Sequence, residues 1–348
     1  MIAFAQACES VAATASKREK IRLVGDYLAT LRDADLAAAA RYFTGNPFAA
    51  RDQRSLALGG RSIVAAAQAV WGFTDAQLGL SYREYGDLGA ALCPFVRPAA
   101  TLALFTDVLT PAFLKTILDE IADAAGKAAG RKRQLLCERI LGACATGPEA
   151  KYVIKIMTGD LRIGLREGLV IDAIASAFAR PVRDVRRATM AAGDIGAVAV
   201  NAKAGTLDAI AVSYGAPIGS MLASPVTYGS SYKELAGEEW VVEDKFDGIR
   251  AQVHKDGSTV RIFSRTLNDV SHSYPEIVDA VRKIDASVIL DGEIIARRNG
   301  RVLPFRYLQA RLQRKDVSAD LLAEVPVAYA CFDVLAHNDA FLLDKPLL

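Results

Sequence analysis

From residue 1 to about 200, apolar positions recur every three to four residues, as in Leu135, Leu136, Ile140, Leu141 and Cys144. That spacing places them on one face of an α-helix. Ala, Leu and Arg dominate the stretch, and turn-forming clusters break it at Thr44-Gly45-Asn46-Pro47, Gly59-Gly60 and Thr146-Gly147-Pro148. Nothing in it alternates as a half-buried strand does. The pattern changes near Tyr214-Gly215-Ala216-Pro217-Ile218-Gly219. Beyond that point short β-rich runs predict strands at 239–243, 249–254, 259–263, 288–290 and 327–332. Lys255-Asp256-Gly257-Ser258 predicts a hairpin turn between two of them, and helices are predicted at about 275–284 and 305–315. The fold class is therefore multidomain α and α+β: an all-helical domain over 1–215, then a mostly antiparallel α+β domain over 216–348.

The apolar fraction of 52% and mean hydropathy of +0.19 fit a soluble globular chain. No run approaches the ~18 apolar residues of a membrane span. The N-terminus lacks a basic leader, and Gln6 and Glu9 interrupt its apolar stretch, so it reads as an amphipathic helix rather than a signal peptide. Five cysteines without a C-x-x-C pair argue for a reducing, cytoplasmic setting and against a disulfide framework or structural zinc. The net charge of +2 means that any nucleic-acid surface must come from local clustering. Two clusters exist: Arg297, Arg298, Arg301, Arg306, Arg311, Arg314 and Lys315, and Lys151, Lys155, Arg162, Arg166, Arg180, Arg183, Arg186 and Arg187. Each suits phosphate binding or a solvated helix face equally well.

The chemistry concentrates in Glu243-Asp244-Lys245-Phe246-Asp247-Gly248-Ile249-Arg250, the pattern E-x-K-x-D-G-x-R. Lys245 and Asp247 are two apart and share a face in an extended segment. Gly248 allows a sharp turn, and Arg250 can reach back toward a phosphate or ribose with its planar fork. A lysine amine that attacks phosphorus must be unprotonated, although free lysine titrates near ~10.4. Desolvation and neighbouring cations lower that value.

This segment resembles the nucleotide-accepting motif of the covalent nucleotidyltransferases: ATP-dependent DNA ligases, RNA ligases and mRNA capping enzymes. Further pieces follow in that family's order. Ile262-Phe263-Ser264-Arg265-Thr266 resembles its second element, Leu290-Asp291-Gly292-Glu293-Ile294-Ile295 its D-G-E element, and Ala330-Cys331-Phe332-Asp333-Val334-Leu335 the element whose aromatic stacks on the purine. The resemblance implies that Lys245 carries AMP. It implies that Glu243 and Phe332 hold adenine, Arg250 and Arg265 the nucleotide, and Glu293 the ribose and a Mg²⁺ site. An acceptor at Glu243 implies ATP rather than GTP. Pro217-Ile218-Gly219-Ser220-Met221-Leu222-Ala223 resembles the ligase segment entering the adenylation domain, and Leu303-Pro304-Phe305 with Leu308, Gln309, Arg311 and Leu312 a helix common in those ligases.

Upstream, the stretch from Lys151-Tyr152-Val153-Ile154-Lys155 to Gly159, then Leu161-Arg162-Ile163-Gly164-Leu165-Arg166, resembles the marker of the helical DNA-binding domain of ATP-dependent DNA ligases. Arg41-Tyr42-Phe43-Thr44-Gly45 and Leu56-Ala57-Leu58-Gly59 resemble earlier pieces of that domain. The resemblance implies that Arg162, Gly164 and Arg166 grip the backbone of nicked double-stranded DNA, and that the protein works as a monomer with no membrane. Capping enzymes and RNA ligases lack the domain. The family's later E-G and K-x-K strands and its OB-fold domain are expected beyond Asp344-Lys345-Pro346-Leu347-Leu348, which implies a C-terminally truncated adenylation domain with the OB-fold absent. An inert fragment that only binds DNA is the alternative, and an RNA ligase or capping-type nucleotidyltransferase is the third reading.

Overall fold

A computed structural model describes residues 1–97, 108–219, 241–312, 314, 316–338, 340–343 and 345–346. The chain divides into two compact units, Met1–Ala211 and Val212–Leu348.

Among the described residues the first unit holds twelve α-helices and no strand. The turn clusters read from the sequence are helix ends. Thr44 closes Asp33–Phe43, Gly59 opens Gly60–Trp71, and Thr146 opens Gly147–Thr158 by accepting the Glu149 N–H. Pro148 suits that first turn because its missing N–H would have no partner there. Helix Gly147–Thr158 is nearly all core: Ala150, Tyr152, Val153, Ile154 and Ile156 are each at most 1% exposed. Helix Leu88–Leu92 lies so close to it that a Cβ on Gly89 would sit 2.6 Å from the Lys151 carbonyl oxygen. Arg41 grips Asp194 with two 2.8 Å bonds, while the Asp194 carboxylate also caps helix Ile195–Ala204. Burial alone would raise the Asp194 carboxyl; the Arg41 guanidinium and the cap N–H groups outweigh it and hold the group low.

The second unit is an antiparallel sheet with helices packed against it. Its strands are β1 (Ile249–Asp256), β2 (Thr259–Ser264), β3 (Val288–Arg298), β4 (Arg301–Val302), β5 (Val327–His337) and β6 (Ala340–Phe341). They run in the order β2-β1-β3-β5-β6, with β4 paired to β3. Gly257, at φ +53°, makes the turn of the β1–β2 hairpin. Alternation divides the sheet into two faces. Ala251, Val253 and Ile294 enter a core shared with Ile277 and Val281 of helix Pro275–Arg282 and with Leu308. Arg250, Gln252, Asp291 and Glu293 take the opposite face, since Arg250 pairs with Glu293 and Gln252 with Asp291.

Several expectations change. Residues 241–243 form no strand, and Glu239 and Trp240 lie outside the described residues, as do Ser220, Met221, Leu222 and Ala223. The strand predicted at 288–290 runs on through Asp291-Gly292 to Arg298, as β3. Among the described residues of the segment 305–315, the helix is a 3₁₀ helix over Phe305–Arg311, after Pro304. Its basic run is not one surface. Arg311 is 0% exposed and donates to both Glu276 carboxylate oxygens and to the Ser273 and Val325 carbonyls. The second cluster also disperses. Lys155 is buried, Lys151 pairs with Glu9 at 2.6 Å, and Arg180 bonds the Ala202 carbonyl.

His254, 2% exposed, accepts a hydrogen bond from the Gly215 N–H through Nδ1. Burial, with repulsion from Arg261, lowers its pKa to about 4. An unfolded histidine titrates near ~6.5, so on acidification the unfolded chain takes the proton first. Stability is complete above the unfolded value and falls until the folded value is reached. The second unit is expected to lose about 2 kcal/mol between roughly pH 7 and pH 5 through this group. Urea unfolding at the two pH values checks it, and His254→Gln should flatten the dependence.

Candidate functional site

A cleft of about 710 Å³ opens in the second unit. Lys245, Glu243, Arg250, Arg265, Glu293 and Phe332 all line it, together with Ser264, Thr266 and Phe305. Three routes bring them there. The stretch before β1 carries Glu243 and Lys245, the end of β2 delivers Arg265, and β1, β3 and β5 supply Arg250, Glu293 and Phe332. Asp247 is not in the lining, although its charge reaches Glu293.

Gly248 is the hinge of this arrangement. A Cβ there would sit 2.2 Å from the Ile294 carbonyl oxygen and 2.9 Å from Glu293 Cγ. Only glycine lets the Lys245 segment come this close to β3. Burial raises the Glu293 carboxyl, opposed by the Gly248 N–H and by the Lys245 and Arg250 charges. Arg250 is half-buried and bound to Asp291 by two bonds, Nε to Oδ1 at 3.2 Å and Nη2 to Oδ2 at 2.7 Å. Its guanidinium also lies over the Phe332 ring, 5.8 Å from the centroid.

Phe332 owes its place to an irregularity in β5. Gly292 opposes Cys331 and Asp291 opposes Asp333, so Phe332 is the extra residue of a β-bulge. A bulge re-aims a side chain out of the regular alternation. The three cationic side chains and the aromatic ring suit a polyphosphate joined to a flat base. Among the described residues no three carboxylate, imidazole or thiol groups gather closely enough to cage a metal ion.

Two supporting residues were not singled out from the sequence. Asp291 fixes Arg250; its signal was the D-G-E spacing, which sets Asp291 and Glu293 on one face of a strand. Tyr329 donates to the Ala251 carbonyl at 2.9 Å and lies 3.2 Å from that of Leu290. Its ring fills the space over Gly292, where a Cβ would meet Tyr329 Cζ at 2.6 Å.

In the first unit Arg162, Gly164 and Arg166 share the loop 159–166, between helices Gly147–Thr158 and Glu167–Ala177. Gly159, Arg162 and Gly164 have φ of +79°, +51° and +63°. The apolar residues between them, Leu161 and Ile163, are each 4% exposed and anchor the loop. Arg162 is exposed, held by Asp160 at 2.9 Å and by the Gly86 carbonyl at 3.1 Å. Arg166 is exposed at the N-cap of Glu167–Ala177, where the helix end favours anions.

The family model described as DNA ligase N terminus matches residues 1–175, and that described as ATP dependent DNA ligase domain matches residues 220–348. A probable DNA ligase of Koribacter versatilis is 41% identical over 344 residues, covering 99% of this chain and 58% of its own. A probable DNA ligase of Opitutus terrae is 36% identical, covering 99% and 40%. The DNA ligase of Archaeoglobus fulgidus is 33% identical, covering 99% and 62%. The chain thus spans less than two thirds of the length of these curated relatives. With one model covering half of the chain and the other most of the remainder, the chain belongs to the ATP-dependent DNA ligase family.

Proposed function

We propose that this chain is the DNA-gripping and self-adenylating part of an ATP-dependent ligase that seals nicks in duplex DNA. Lys245 Nζ attacks the α-phosphorus of ATP. A nitrogen–phosphorus bond forms, the bond to the bridging oxygen breaks, pyrophosphate leaves with the electron pair, and the amine proton passes to solvent. The 5′-phosphate of a nick then takes the AMP from Lys245, and the 3′-hydroxyl displaces it in the sealing step. Such transfers depend on positioning and charge neutralisation. Arg250 and Arg265 supply charge, Phe332 a stacking face for adenine, and Glu243 an acceptor for its amino group. Mg²⁺, with one protein carboxylate from Glu293 and the rest of its shell from phosphate oxygens and water, would neutralise the polyphosphate.

The observation that carries the reading is the convergence of Lys245, Arg250, Arg265, Glu293 and Phe332 in one cleft. Incubation with α-labelled ATP and Mg²⁺ followed by denaturing electrophoresis tests it. A covalent label that nicked duplex discharges is expected. No label, or a label formed equally from GTP, overturns the reading; DNA binding without label would indicate the inert DNA-binding fragment. In the same assay Asp291→Asn is expected to raise the ATP concentration needed for half-maximal labelling about tenfold, because it weakens the charged hydrogen bonds that aim Arg250.

A further inference from the structure

Two lysines lie beneath the loop 159–166 and face the two carbonyls that turn inward. Lys20, on helix Lys17–Ala29, is 6% exposed and donates to the Ile163 carbonyl at 2.5 Å. Lys155, 5% exposed, donates to the Leu161 carbonyl at 3.2 Å and pairs with Asp87 at 3.2 Å. The two bonded carbonyls flank Arg162. Gly164 follows, and a Cβ there would fall 2.8 Å from Lys20 Nζ. Glycine suits position 164 by its positive φ, and a Cβ there would push the Lys20 ammonium aside. No carboxylate pairs with Lys20 among the described residues, and a buried ammonium held by one carbonyl is expensive unless its surroundings gain from it.

We propose that Lys20 and Lys155 are positioning residues for DNA. They clamp the loop's carbonyls inward, so that Arg162, Gly164 and Arg166 keep an outward backbone and side-chain geometry matched to duplex phosphates. This rests on the reading of that loop as a DNA-backbone grip. Lys155 thereby leaves the set of phosphate-contacting cations and becomes a brace, and Lys20 joins it from a distant helix.

The test uses the full chain and a fluorophore-labelled nicked duplex, with affinity measured across a salt series. Lys20→Met removes the carbonyl bond and is expected to weaken binding roughly tenfold, the worth of a charged hydrogen bond. It should also make the salt slope shallower by about 0.9 for each phosphate that the loop no longer neutralises. Lys20→Gln keeps a donor without charge and is expected to recover most of the affinity. A purely structural lysine would lower the melting temperature and leave the slope unchanged, which overturns the proposal. If Lys20→Met fails to fold, Lys155→Met, which removes the bond to the Leu161 carbonyl, carries the same comparison, and parental affinity and slope in whichever of the two folds overturn the proposal. Arg162→Ala combined with Arg166→Ala separates the two claims. If that variant binds as the parent does, the DNA reading of the loop falls and the proposal with it; if it weakens while Lys20→Met does not, only the positioning role falls.

Discussion

Lys245→Ala is expected to abolish the covalent AMP label, by at least about a thousandfold, because removal of the nucleophile leaves no alternative route to the intermediate. The substitution should cost little stability, since Lys245 is exposed and precedes β1 rather than pairing within it. Lys245→Arg is the sharper comparison. It preserves charge in the cleft beside Arg250 and Arg265 yet offers no attacking amine at accessible pH. Both variants should still bind ATP, detected by equilibrium dialysis. A label that survives in Lys245→Arg would mean that another residue carries the nucleotide, and the assignment of Lys245 would be wrong.

The second large effect concerns the fold. Arg311→Ala is expected to destabilise the second unit by about 3–5 kcal/mol, the cost of breaking a buried ion pair by removing one member. Arg311 makes bonds of 2.8 and 3.0 Å to Glu276 and of 2.6 and 2.9 Å to the Ser273 and Val325 carbonyls. Its guanidinium also lies over the Tyr274 ring at 5.5 Å. One side chain thus ties helix Pro275–Arg282 and its lead-in to the 3₁₀ helix Phe305–Arg311 and to the residue preceding β5 by two. Hydrogen exchange at the β3 amides reports the loss, since opening of this unit sets their protection. A change below about 1 kcal/mol would show that the network contributes no net stability. Replacing Glu276 as well, with Leu beside Arg311→Met, should return part of the loss, because no charge is then left without its partner.

The helices of the first unit were legible because period and capping residues agree there: Thr146, Gly59 and Thr44 stand where the elements begin or end. The cleft was legible for a related reason. Lys245, Arg265, Glu293 and Phe332 stand in short motifs whose order survives whatever the lengths between them. What was not legible was pairing at a distance. Charge counts grouped Arg311 with exposed arginines, though Glu276 and two carbonyls draw it inside. They grouped Lys155 with phosphate ligands, though its own loop consumes it. The stretch 241–243 had strand composition without a ladder partner among the described residues. β-Propensity describes how a side chain fits a sheet, and cannot supply the neighbouring strand.

β5 departs from two-residue periodicity twice, once at Phe332 and once at Leu335. Ala330, Asp333 and Ala336 stand opposite Glu293, Asp291 and Ile289, three residues apart where a regular strand would require two. A single bulge reverses the parity of everything after it; a second restores it. Deleting Phe332 alone should therefore leave Cys331 opposite Gly292 and Asp333 opposite Asp291, keeping both ends on their faces and removing only the aromatic from the cleft, whereas deleting a paired residue such as Tyr329 should turn the start of the strand over, exchanging core-facing and cleft-facing side chains. Length changes along this strand are tolerable at its two extra residues and damaging at its paired ones.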